Sequence, residues 1–172
     1  MKNHLLIVLS VMLFVSCKNG GETGNESYPR AVVGINNNGV YEISDLPLIK
    51  KNWESQIDDS EGKITLEAFE IVKGTTEGES VEDFYILIAR SDDGTLKSSA
   101  LLELRDNKFY FEKQSRPNSD DVFLNIVCKG NCDQGCFPAV KVVNGGRQLV
   151  CSNCPDCMKV ENEMQKASVA IN

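Results

Sequence analysis

Histidine is nearly missing from the 172-residue chain: the only one is His4. Beyond that position the Ser-His-Asp and Cys-His constellations are excluded, and so is every zinc site that uses imidazole. Any catalysis would have to rest on carboxylates, lysine or thiols. Positive charge is also scarce, with 18 Lys and Arg against 25 Asp and Glu for a net charge of −7. No basic block concentrates it, which argues against nucleic acid or anionic lipid as a partner. Long apolar runs are missing too. The run from Leu5 to Val15 is interrupted by Ser10 and stops at a cysteine, short of the ~20 residues that cross a bilayer. The acidic side chains Glu67, Glu70, Glu82, Asp83 and Glu103 are scattered without a spacing that specifies an acid and a base. No catalytic residue is named, no cofactor and no metal are implied, and the chain is expected not to be an enzyme.

What is present begins with Lys2, the apolar run, and Phe14-Val15-Ser16-Cys17, the layout of an export signal. These four residues resemble the lipobox of bacterial lipoproteins, in which a small residue precedes the cysteine that receives a diacylglyceryl thioether before cleavage. Phe14 departs from the family's usual aliphatic residue. The plainer alternative is an ordinary secretory signal with a chance cysteine. The resemblance implies a signal peptide over 1–16, acyl chains of the palmitate type on Cys17, and attachment to a bacterial membrane in the cell envelope, the outer membrane or cell surface rather than the inner membrane. At about 0.8 kcal/mol per buried methylene, two or more chains anchor firmly. Removing 16 residues from 172 leaves 156, and the loss of Lys2 takes the net charge to −8. That is one domain's worth of chain.

Residues 17–39 are rich in Gly, Asn, Ser and Glu and read as a flexible tether, with Ala31-Val32-Val33 as a short strand within it. The sequon Asn25-Glu26-Ser27 carries little weight in a bacterial host. The folded domain is expected over 40–121. Leu46, Ile49, Trp53 and Ile57 recur at helical spacing, with Ser44 or Asp45 as cap and Pro47 in the first turn. Trp53 is read as core rather than as a ligand platform. The acidic run Asp58 to Gly62 ends the helix and fails the calcium-loop pattern, because its glycine would place Ile57 at the first liganding position.

Strands are expected at Ile64 to Val72, Phe84 to Ala89, Leu96 to Leu104, Lys108 to Phe111 and Val122 to Cys128, with turns at Asp92-Asp93-Gly94 and Asp106-Asn107. Alternation along Leu96 to Arg105 predicts a sheet with a dry face and a wet one. Phe84-Tyr85 and Phe109-Tyr110-Phe111 are good strand residues, which favours packing over a carbohydrate surface. The expected fold class is therefore α+β, one helix packed on an antiparallel β-meander.

A cysteine-rich segment follows over 122–158, then a tail over 159–172 in which Val160, Met164, Ala167 and Ile171 have near-helical spacing. With Cys17 set aside, six cysteines remain in two clusters: Cys128, Cys132, Cys136 and Cys151, Cys154, Cys157. An even number in an exported chain predicts three disulfides. Ala139 to Val143 and Arg147 to Cys151 form a hairpin at Asn144-Gly145-Gly146 that folds one cluster onto the other, so pairing between clusters is expected. Cys136 to Cys151 or Cys154 is one such pair, and Cys128, in phase with Val122, Leu124 and Ile126, should point inward.

Three competing readings use the same thiols. The Cys-x2-Cys-x2-Cys run has part of the spacing of a ferredoxin iron–sulfur site, but Val160 and Glu161 stand where its fourth cysteine belongs. Cys154-Pro155-Asp156-Cys157 has the spacing of a redox pair, without the strand and helix that would lower its thiol pKa. A four-thiolate zinc knuckle is chemically sensible but disfavoured by an oxidising compartment.

The lipobox, the run Phe84 to Ala89 followed by Asp92-Asp93-Gly94, and the paired clusters together resemble small cysteine-tailed lipoproteins of Bacteroidota-type bacteria. The roles of those proteins are mostly undefined and the resemblance brings no catalytic residues; the missing histidine and the lack of a catalytic spacing point instead to a non-catalytic binding or structural module of the envelope, with an unspecified protein or cell-wall partner. The alternative is a thiol-redox or metal-binding envelope protein.

Overall fold

The computed structural model describes residues 27–57, 64–115, 121–132 and 135–165; the signal segment, Cys17 and the run Asp58 to Gly62 lie outside them. The elements in order are β1 (Gly34–Asn37), β2 (Val40–Ile43), α1 (Leu46–Glu54), β3 (Leu66–Thr75), β4 (Glu77–Gly78), β5 (Asp83–Ser91), β6 (Leu96–Arg105), β7 (Lys108–Phe111), β8 (Lys113–Gln114), β9 (Val122–Lys129), β10 (Pro138–Val143), β11 (Gly146–Cys151) and β12 (Met158–Glu163).

The α+β expectation is overturned. Strands take 56% of the described residues and the one short helix 7%, so the fold is mostly β, and no helical layer exists among the described residues. The helix stops at Glu54, before Ile57 completes the fourth position of the apolar stripe. Its role is that of a plug: Ile49 and Trp53 are buried, and the Trp53 ring lies 5.9 Å from Phe69 and 6.3 Å from Phe111. Asp45 holds the cap position in the left-handed region without a side-chain cap hydrogen bond.

Nine strands form the main sheet, organised around β6. One edge of β6 pairs with β5, which pairs with β3. The other edge is shared: Leu96 to Ser99 pair with β9, and Leu102 to Arg105 with β7. A plain meander would have left β9 beside its sequence neighbours only. Beyond β9 lies β12, and beyond β7 the hairpin β1–β2.

That hairpin corrects the tether boundary at residue 39. Tyr28 and Val33 are already buried, and Val33 donates its N–H to the Phe109 carbonyl. The strand falls on Gly34–Asn37 rather than on Ala31 to Val33. The tail is corrected in the same way, because Val160 belongs to β12 and not to a helix. Two-residue turns at Asn38-Gly39, Asp106-Asn107 and Asn144-Gly145 all carry positive φ, the twist that tight hairpins demand.

A second sheet, β11–β10–β4, stacks on the first. It removes the expected wet face. Leu87, Ala89, Leu96, Ala100 and Leu102 pack toward α1, while Phe84, Ile86, Ile88, Leu101 and Ile126 pack under Val140 and Leu149 of the second sheet. From Leu96 to Leu102 every residue of β6 is buried, Lys97 and Ser99 included.

Candidate functional site

Of three disulfides, Cys128–Cys151 joins β9 of the first sheet to β11 of the second, and Cys132–Cys154 and Cys136–Cys157 link the segments that follow these strands. All six cysteines bridge between the clusters, as the hairpin suggested. The individual guess was wrong, however: Cys136 takes Cys157, not Cys151 or Cys154. The hairpin register explains this, since Cys151 lies opposite Pro138, already past Cys136. The bridges therefore join the two clusters in sequence order. Gly130 permits the crossing, because a Cβ there would stand 2.2 Å from the Asp156 carbonyl oxygen.

This arrangement also bears on the competing thiol readings. Cys154 and Cys157 bind different partners instead of each other, and their turn leads into β12 rather than into a helix. The run Cys151, Cys154, Cys157 is fully spent on bridges. One cluster with ligand geometry does emerge: the sulfurs of Cys128, Cys136 and Cys151 lie within 4.8 Å of one another, although each is bonded in a disulfide.

Lys97 lies in the same cross-strand row as Cys128. It is 6% exposed, and it stands opposite Cys128 on one side and Arg90 on the other. Its ammonium donates to the Cys136 carbonyl at 3.3 Å and sits 4.0 Å from the centre of the Phe137 ring. No carboxylate reaches it among the described residues. Burial lowers its pKa, and the Arg90 charge adds to the effect. Lys159 flanks Cys128 across the other ladder, so Arg90, Lys97, Cys128 and Lys159 form one row on one face. Period-2 alternation placed Lys97 on a solvent face; the segment Cys136-Phe137, leading into β10, covers it.

Where the second sheet ends, the same face of β6 and β7 opens into a groove. Arg30, Glu103, Arg105, Tyr110, Glu112 and Lys113 line it around about 530 Å³. Arg105 stacks over Tyr110 at 4.2 Å and approaches Glu103 at 3.4 Å. At the covered end Arg147 donates to Glu112 at 2.6 Å. Burial raises the Glu112 carboxyl above its ordinary range; Arg147 opposes that shift and Glu103 reinforces it. Arg30 and Lys113 have no carboxylate partner among the described residues, which leaves the groove locally cationic in an acidic protein. Of these residues only Glu103, Arg105 and Tyr110 carried a sequence signal, because the groove draws on segments that only the fold brings together.

Compared with known proteins, the chain matches no family model, no curated protein and no solved structure. No fold relative or family site pattern therefore assigns a chemistry to either feature. Both must be read from their own residues.

Proposed function

We propose that this is an exported lipoprotein, held to a bacterial envelope membrane through acyl chains on Cys17, whose cystine-stapled β domain is a non-catalytic binding module. The supporting observation is the pairing of all six later cysteines, which fits maturation in an oxidising compartment and leaves Cys17 as the odd thiol for the lipobox. The groove beside Arg30, Arg105 and Lys113 is the natural ligand face. Its unpartnered cations favour a carboxylate-bearing protein or cell-wall partner over a neutral one. Mass spectrometry of the N-terminal peptide from the native host tests the anchor. A diacylated peptide beginning at Cys17 is expected, and an uncut, unacylated N-terminus would refute it.

A second reading, thiol-redox or zinc or iron–sulfur binding, is favoured by the sulfur triangle of Cys128, Cys136 and Cys151. Intact mass before and after alkylation, with metal analysis of the same sample, separates the two. Three bridges resistant to mild thiol and no metal support the module; a labile pair or bound metal supports the alternative.

A further inference from the structure

We propose that Cys128–Cys151 and Cys136–Cys157 form a disulfide-exchange pair, in which a dithiol opens the second bridge and the freed Cys136 attacks Cys151, expelling Cys128 as a thiolate beside Lys97. The inference deepens the redox reading and is independent of lipid anchoring. Three observations carry it. Sulfurs from two different bridges lie within 4.8 Å of one another, close to the approach that exchange needs. Cys136 and Cys128 are fully buried while Cys157 and Cys151 are partly accessible, so an incoming thiolate can reach Cys157 but not Cys136, and attack there frees the buried thiol. The third is the cationic row, which sets Cys128 between Lys97 and Lys159. Lys159 is engaged by Glu161 at 2.6 Å, whereas Lys97 has no carboxylate and is held by a carbonyl and a ring.

The electrons balance as follows. One thiolate of the dithiol bonds to the Cys157 sulfur as the Cys136–Cys157 bond breaks, and Cys136 keeps the electron pair. Cys136 then bonds to Cys151, and the Cys128–Cys151 bond breaks with the pair on Cys128. The second thiol of the reagent attacks its own sulfur in the mixed disulfide, which releases Cys157 and leaves the reagent as a disulfide. Two electrons have entered, and the thiols now sit on Cys128 and Cys157. The cation beside Cys128 favours this direction, because a leaving thiol of lower pKa departs faster. A structural bridge next to a buried, carboxylate-free ammonium gains nothing from that charge while it stays oxidised. The charge acts once a thiolate forms.

The test is a time course of the full chain carrying Cys17→Ser under limiting dithiothreitol, quenched in acid, alkylated and mapped by peptide mass spectrometry. Alkylated Cys128 and Cys157 with a new Cys136–Cys151 bridge is the expected result. Alkylated Cys136 and Cys157 with Cys128–Cys151 intact would overturn the exchange while leaving a labile redox bridge. If no bridge opens, the redox reading itself fails and the exchange with it. Lys97→Met should slow the rearranged product about tenfold, and Lys97→Arg should restore most of the rate. Equal rates in the wild type and Lys97→Met would overturn the role given to Lys97.

Discussion

Lys97 and Cys128 stand directly opposite each other across the β6–β9 ladder, and both are buried. The pairing follows from β6 sharing one edge between two strands.

Burial of an ammonium without a carboxylate has a thermodynamic signature. The folded-state pKa of Lys97 lies below that of the unfolded chain, where lysine titrates near 10.4. The unfolded state therefore binds more protons in the window just below that value, and stability contributed by this group rises with pH there. In Lys97→Met the rise should disappear, and at neutral pH the variant should be at least as stable as the wild type. Thermal midpoints of the oxidised protein at neutral and alkaline pH check this. An identical pH slope in both proteins would count against it.

Trp53 is the helix residue on which the core depends. Trp53→Ala should cost about 3–5 kcal/mol by emptying the space between Phe69 and Phe111. Trp53→Phe should cost clearly less. The buried indole Nε1 makes no hydrogen bond of normal geometry among the described residues, so removing the N–H sacrifices little. Denaturant titration of the two variants gives the comparison, and equal losses would contradict this account.

At Gly130 the backbone of the first cysteine cluster touches that of the second. Gly130→Ala would place a Cβ 2.2 Å from the Asp156 oxygen and 2.9 Å from the Cys157 Cα, where neither neighbour is a flexible side-chain tip. A destabilisation of about 1–3 kcal/mol is expected, together with a larger fraction of mispaired bridges after oxidative refolding. Peptide mapping that finds native pairing at wild-type yield would show that the contact relaxes freely.

Glu112 gives a pH dependence of opposite sign. Its carboxyl titrates above the ordinary value chiefly because it is buried. The folded state thus holds the proton more firmly than the unfolded chain, and stability from this group falls as pH rises through that window. Glu112→Gln should flatten the stability profile in mildly acidic solution and loosen Arg147, whose guanidinium then loses a charge-assisted bond. A profile unchanged by the substitution would assign the slope to other carboxylates.

Much of the fold was legible locally. The strands at Lys108–Phe111 and Leu96–Arg105 and the turns at Asp106-Asn107 and Asn144-Gly145 follow from alternation and from residues that tolerate positive φ. The helix was legible as a stripe but not in its weight, since apolar spacing registers a face and not the number of layers that face supports. The strands β1, β2, β4, β8 and β12 left no comparable signal. They are short or polar, and they exist because an existing edge offers them hydrogen bonds. The groove was illegible for a related reason, as Arg30, Arg105 and the pair Glu112-Lys113 are brought together only by the fold.

The amino-acid sequence alone determined the local conformations and the need for pairing between two cysteine clusters, because φ preferences, alternation and thiol count act within a few residues or on composition. Only the tertiary structure decided which cysteine meets which, that Lys97 is buried, and where the groove opens. Those outcomes depend on how a second sheet is laid across the first, and stacking is settled by contacts between residues far apart in the chain.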